Sequence, residues 1–318
     1  MSHPLVSVLM PCYNAAPWLA QSIRSVLEQA WQNLELVLVD DGSRDESWAI
    51  AQRFQDRRLR LLRQENQGAS AARNHAFRVC QGELIVFLDS DDLLAPDKLE
   101  RQITGYRDHG ANRIYSGEWG RFQHNPQAAR FDHPRDRQLW RDEHPIPWLV
   151  DCWQLNGMMH PGAWLTPRPL LEQAGPWDEA LGLLDDLEFF TRVLSIAEGI
   201  HFVAGARSYY RSGHSSLSGT RSRRGIDSGV RAVTQSVSTL LALENSPRTR
   251  RAAAALYSHF LHWAYPRERD LLRQLEAQIT SLGEQPLPPD LPPRARLLSR
   301  CLGWKTVRRL QSMTGRLH

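Results

Sequence analysis

Four short apolar runs, each followed by a longer amphipathic stretch, constrain this chain more than any other feature. Strands are expected near residues 6–10, 35–39, 59–62 and 84–88, and helices near 18–29, 45–55, 69–80 and 96–109. The runs Leu36-Val37-Leu38-Val39 and Leu84-Ile85-Val86-Phe87-Leu88 are apolar throughout instead of alternating. Strands of that kind are buried on both faces, as in a parallel sheet covered by helices. The reading is an α/β fold with a mostly parallel, Rossmann-like sheet. Residues 113–169, with several Trp and Pro, predict short strands mixed with loops, and a helix follows at about 184–197.

A chain of 318 residues, 42% of them hydrophobic, can bury a substantial core, as two domains or one α/β domain with an appendage. No run approaches the roughly 18 apolar residues of a membrane span, and the apolar start is too short for a signal peptide. A cytoplasmic location is the expectation. Cys12, Cys80, Cys152 and Cys301 lie far apart, with no zinc spacing, and read as reduced thiols. With 39 Lys and Arg against 35 Asp and Glu, a net +4, basic residues matter only where they cluster.

They cluster at the C-terminus. Pro286, Pro288, Pro289, Pro292 and Pro293 form a linker that helix cannot cross, and beyond it seven cations, including Arg296, Lys305 and Arg308, interleave with leucines and no acid. The expected segments are 1–219, a helical extension 220–283, the linker 284–293 and a basic amphipathic stretch 294–318. That stretch reads either as a helix lying on an anionic membrane surface or as a solvated helix packed on its own domain. No nucleic-acid recognition motif accompanies the charge.

Three of the strands end in polar residues: Pro11-Cys12-Tyr13-Asn14, Asp40-Asp41-Gly42-Ser43 and Asp89-Ser90-Asp91-Asp92. Ligand crevices of open parallel sheets lie outside such carboxyl ends. For Ser43 and Asp45 a turn or N-cap role weighs equally against a place in the ligand crevice. Three carboxylates within four residues repel unless a cation or several donors offset them, which points to a divalent metal. Oxygen ligands suit Mg²⁺ or Mn²⁺, commonly shared with substrate phosphates. No GxxxxGK[ST] or GxGxxG loop occurs, so ATPase and dehydrogenase readings lose ground.

A second acidic cluster, Asp185-Asp186-Leu187-Glu188, opens the later helix. Asp186 falls on the apolar stripe four positions before Phe190 and is expected to point inward, as a working carboxylate or a buried cap. Asp185 suits the helix N-terminus through the macrodipole, and Glu188 and Arg192 read as an exposed i,i+4 pair. Trp140, Trp148, Trp153, Trp164 and Trp177 read mainly as core, with acceptor stacking as the alternative. His160-Pro161-Gly162 stands between the motif blocks as a candidate lining of the acceptor pocket.

Residues 6–14, 39–45, 68–74, 87–92 and 175–179, leading into Asp185-Asp186, together resemble the inverting, nucleotide-sugar-dependent family 2 glycosyltransferases of the GT-A fold. The resemblance covers about residues 5–218. It implies that Pro11, Tyr13, Asp41, Gly68 and Arg73 hold the nucleotide, with Asp41 at the base. Asp89 and Ser90 would face the ribose, Asp91 would ligate Mn²⁺ or Mg²⁺, and Asp186 would be the catalytic base. Tyr210 to Ser216 resembles the family's closing loop, with His214 reaching the metal or diphosphate. The implied partners are a nucleotide-sugar donor, UDP-linked in most relatives, and a saccharide or lipid-linked saccharide acceptor. A nucleotidyltransferase is the rival enzyme, but the N-terminal Gly-rich loop it needs is absent after Met10. A non-catalytic nucleotide-sugar binder is the other alternative.

Overall fold

A computed structural model describes residues 3–157, 160–213 and 221–313. The first half is a repeated strand–helix unit: β1 (Val6–Cys12), α1 (Leu19–Leu27), β2 (Leu34–Asp40), α2 (Ser47–Gln52), β3 (Leu59–Arg63), α3 (Ala69–Val79) and β4 (Leu84–Phe87). Strands β1, β2 and β4 are buried along almost their whole length, as uninterrupted apolar runs require. Next come β5 (Leu93–Leu94), α4 (Lys98–His109), the ten-residue β6 (Arg113–Phe122), α5 (Pro134–Arg137), α6 (Pro145–Leu155), β7 (Thr166–Pro167) and α7 (Arg168–Ala174). The region expected to hold only short strands and loops therefore contains a long strand and an eleven-residue helix. Polar β6 residues and a Pro-led α6 hide both periods from a local reading.

The main sheet runs β3-β2-β1-β4-β7, with β1 to β4 parallel and β7 antiparallel at the edge. Pro11 is tolerated in the central strand because of register. The Leu9 carbonyl accepts from the Leu88 N–H, and Pro11, two residues on, faces the same side past the last β1–β4 pair, Leu9 with Phe87. A missing N–H there breaks no ladder bond. After α8 (Asp185–Ile196), the strand β8 (Gly199–Arg211) pairs with β5 and β6 in a second, three-stranded sheet.

Three helices follow: α9 (Arg223–Leu243), α10 (Pro247–Ala264) and α11 (Arg269–Ser281). A single apolar cluster runs from Leu9, Phe87 and Trp164 through Phe190 into Val233, Leu261 and Leu275, joining these helices to the sheet. Beyond the proline segment lie α12 (Pro293–Leu302) and α13 (Trp304–Met313). Leu291, Ala295 and Val307 are buried with Trp304 packed against them, while Leu297, Leu298, Leu302 and Leu310 are at least half exposed. Among the described residues no helix is long and apolar enough to cross a membrane. Cys12, Cys80, Cys152 and Cys301 are free thiols.

Candidate active site

The loop at the carboxyl end of β4 and the head of α8 are joined by Arg73 of α3. Its Nη2 lies 2.7 Å from Asp89 Oδ1, its Nη1 2.7 Å from Asp185 Oδ2, and its guanidinium stacks 4.3 Å from the Trp177 ring centre. Burial works against the charge of Arg73, but Asp89 and Asp185 outweigh it and hold the guanidinium protonated. One buried cation thus brings the Asp89–Asp92 loop and the Asp185–Asp186 pair to the same cleft. Asn74 completes the clamp, donating to the Trp177 carbonyl and Glu179 Oε1 and accepting from the Trp177 N–H. The 175–179 motif is therefore what fixes α3 against the approach to α8.

Asp185 does more than favour a helix end. Its Oδ1 accepts the Asp186 N–H, and its Oδ2 also accepts from Ser70 Oγ at 3.0 Å. Asp186 is partly buried, and its one side-chain hydrogen bond given by the geometry is accepted from the Leu187 N–H at 2.9 Å. Burial first and Asp185 second push its carboxyl up to about 7, with Arg73 and the Leu187 N–H opposing. A carboxyl titrating near neutrality in a cleft is suited to general-base work. Glu188, expected to be exposed, is only 5% exposed: Arg192 pairs with it and also donates to the Ala174 and Pro176 carbonyls. The 174–176 turn folds over the pair, which an i,i+4 spacing cannot reveal.

The acidic loop splits its three carboxylates. Asp89 takes Arg73, Asp91 stays half-buried, and Asp92 turns inward at 1% exposure. Asp92 Oδ1 accepts the Arg211 N–H, while its Oδ2 faces His160 Nδ1 at 3.5 Å. Burial, then Asp91 and Asp89, push the Asp92 carboxyl well above the usual carboxylate range. Burial, with Lys98 and Arg121, pushes His160 down to about 3. Arg73 thus relieves part of the repulsion in the loop. His160, read from sequence as a candidate lining of the acceptor pocket, is 2% exposed beside Asp92. Arg211 braces the loop from above, donating to the Asp91 carbonyl between the rings of Trp18 and Phe122. Arg211 stands inside the 210–216 motif, but its bracing role rests on long-range partners that the motif does not reveal.

On the other side of the crevice, Asp41 is buried and accepts from the Gln67 and Gly68 N–H groups and from Gln64 Nε2, at 2.8–2.9 Å. These three bonds leave one of about four carboxylate lone-pair positions open. Gly68 sits at φ +96 with nothing within 4 Å of where a Cβ would stand, a conformation that suits glycine. Pro11 is buried, Tyr13 is 47% exposed, and Ser90 is buried with its carbonyl held by Ser22 Oγ. Asp45 accepts locally from the Ser47 N–H, while its bond from the Ala16 N–H and that of Ser43 Oγ from the Asn14 N–H tie the loops after β1 and β2 together. Trp148, Trp153, Trp164 and Trp177 are buried, and Trp140 packs against the same core. His214 lies outside the described residues. Among the described residues no three His, Cys, Asp or Glu side chains converge as a self-sufficient metal cage.

The same architecture occurs in solved structures. Residues 1–349 of S. aureus TarS, in complex with UDP-GlcNAc, superpose with a TM-score of 0.63 at 14% identity, covering 98% of this chain and 92% of that one. The mannosyltransferase PcManGT from Pyrobaculum calidifontis, in complex with GDP-Man and Mn²⁺, gives 0.58 at 21% identity, covering 100% and 86%. The fold is thus of the GT-A class. The family model for glycosyl transferase family 2 matches residues 7–173, more than half of the chain, and the chain belongs to that family. An uncharacterized glycosyltransferase of Haemophilus influenzae is 49% identical over 106 residues, 32% of this chain and 42% of its own. The UDP-Glc:alpha-D-GlcNAc-diphosphoundecaprenol beta-1,3-glucosyltransferase WfgD of Escherichia coli is 38% identical over 136 residues, 42% and 53%. The chain thus spans about half the length of these curated relatives.

Proposed function

We propose that the chain is an inverting hexosyltransferase that moves a sugar from a UDP-linked donor to an acceptor hydroxyl, in surface polysaccharide or glycolipid assembly. The observation that carries this reading is the bridge of Arg73 between Asp89 and Asp185, which sets the donor loop and Asp186 around one cation. Asp186 takes the proton from the acceptor hydroxyl as its oxygen attacks the anomeric carbon opposite the diphosphate, and one displacement inverts that centre. The transition state resembles an oxocarbenium ion, as in glycoside hydrolysis. Exposed Tyr13 offers a face to the base, and the open lone pair of Asp41 accepts a base N–H. Pro11 and Gly68 shape the nucleotide crevice, and Ser90 with Asp89 faces the ribose.

One or two carboxylates shared with substrate phosphates is the donor set that Mg²⁺ and Mn²⁺ prefer, so Asp91 beside Asp89 fits such an ion, with His214 as a further ligand. When bound, it supplies Lewis-acid stabilisation of the departing diphosphate. The Mn²⁺ in the PcManGT structure and the UDP-GlcNAc in the TarS structure support both choices. The lipid-diphosphate acceptor in the WfgD name supports a lipid-linked acceptor here. Contact with an anionic membrane is supported by the exposed leucines of α12 and α13.

A thermal-shift panel of nucleotide sugars with and without Mn²⁺ tests the reading. A UDP-sugar should raise the melting temperature in an Mn²⁺-dependent way. If no nucleotide sugar stabilises the protein, the donor assignment falls.

A further inference from the structure

Away from the transfer cleft, a cavity of about 860 Å³ opens between α10, residues 288–290 and the α12–α13 pair. Arg135, Arg221, Arg296 and Arg308 line it, with Asp290 as its single carboxylate among the lining residues. Asp290 is already committed, 2.7 Å from Arg135 and 3.3 Å from Arg296. Arg221 and Arg308 meet no carboxylate among the described residues, and burial, then Arg267 and Arg308, depress the Arg221 guanidinium. Arg221 lies over the Trp263 ring at 5.3 Å.

The cavity also holds polar side-chain atoms without partners. His262 is 9% exposed, packs edge-on against Trp304, and its Nε2 has no hydrogen-bond partner among the described residues. The same holds for His259 Nε2 and Arg308 Nε. Buried polar atoms without partners are uncommon, and each asks for a missing one. Water could occupy those positions but cannot offset the like charge of Arg221 and Arg308, whereas an anion at Arg308 Nε does. Guanidinium groups with free N–H forks are the donor set that recognises phosphate.

We propose that this cavity binds a phosphate group, supplied by an anionic membrane lipid headgroup or by a free phosphate compound. The inference is independent of sugar transfer, because no residue assigned to donor or acceptor chemistry lines the cavity. The exposed Leu297 and Leu298 on the adjoining helix would bring a headgroup to its mouth if α12 rests on a bilayer.

The test uses the whole chain in EDTA, so that divalent-dependent binding in the transfer cleft is silent. Calorimetry with inorganic pyrophosphate should show binding that weakens at least about tenfold in the Arg221→Gln/Arg308→Gln variant. The single variant Arg308→Glu, at a partly exposed position, repeats the test should the double variant fold poorly. Flotation with phosphatidylcholine vesicles containing roughly a third phosphatidylglycerol separates the sources. Flotation that falls with pyrophosphate binding assigns a headgroup, and unchanged flotation with lost pyrophosphate binding assigns a soluble phosphate. Absence of pyrophosphate binding by the parent chain together with equal flotation on neutral and anionic vesicles overturns the proposal, as does equal binding by parent and folded variants.

Discussion

Arg73 Nη1 and Asp185 Oδ2 lie 2.7 Å apart across 112 residues of sequence, tying the first turns of α3 to the first residue of α8. Because Asp186 is the next residue, this contact sets where the proposed base stands and lends it part of its electrostatics.

Asp186→Asn should keep nucleotide-sugar binding and lose about 10²–10⁴ in turnover, the usual contribution of a positioned base. With the carboxyl pushed up to about 7, parental kcat/KM should fall as pH drops below about 7, since the protonated form cannot accept the acceptor proton. The stability sign follows from the same shift. Between the ordinary Asp value of 3.8 and about 7 the folded chain binds the proton more tightly than the unfolded one, so stability declines as pH rises. In metal-free buffer the Asn variant should therefore melt above the parent at pH 8, with the gain shrinking toward pH 4. A parental transfer rate in the variant would remove Asp186 from the base role.

Asp91→Ala should abolish the Mn²⁺-dependent part of nucleotide binding while leaving the fold intact, since Asp91 is half-buried and the bond from Arg211 Nε goes to its carbonyl, which alanine keeps. Titration calorimetry with UDP, with and without Mn²⁺, reads this directly. Equal affinities for variant and parent in Mn²⁺ would refute the ligand assignment.

Arg73→Ala leaves Asp89 and Asp185 sharing a cleft with no cation between them. Removing one side of a buried pair typically costs about 3–5 kcal/mol, so denaturant melts should show a loss of that order. Arg73→Lys should recover only part, because an ammonium is a point charge and cannot fork between two carboxylates. Full recovery by Lys would mean the two-sided geometry does not matter.

Leu297→Glu/Leu298→Glu places like charge on the exposed face of α12 without touching Ala295 or Val307, which are buried. If that face meets a bilayer, flotation on anionic vesicles should drop severalfold at low salt while the melting temperature holds. Unchanged flotation would limit α12 and α13 to their packing role.

Much of the fold was legible because its signals are local. Unbroken apolar runs announced β1, β2 and β4, amphipathic spacing announced α1, α3, α4 and α8, and the prolines of 286–293 marked where helix stops. The strand-end polar residues pointed to the crevice, and the spacing of Asp186 before Phe190 separated it from Asp185. The β6 strand was hidden, since its residues alternate too weakly for a period to show.

By itself, the sequence determined which segments could be buried strands, which strand ends carried carboxylates, and which carboxylate lay on the apolar stripe of α8, since each depends on neighbours within one or two helical turns. Only the tertiary structure decided which of those carboxylates share Arg73, that Asp92 turns inward to His160, that Glu188 is buried under residues 174–176, and that cations without carboxylates gather around His262. Those outcomes depend on desolvation and on partners up to about 120 residues away, and no local pattern carries that information.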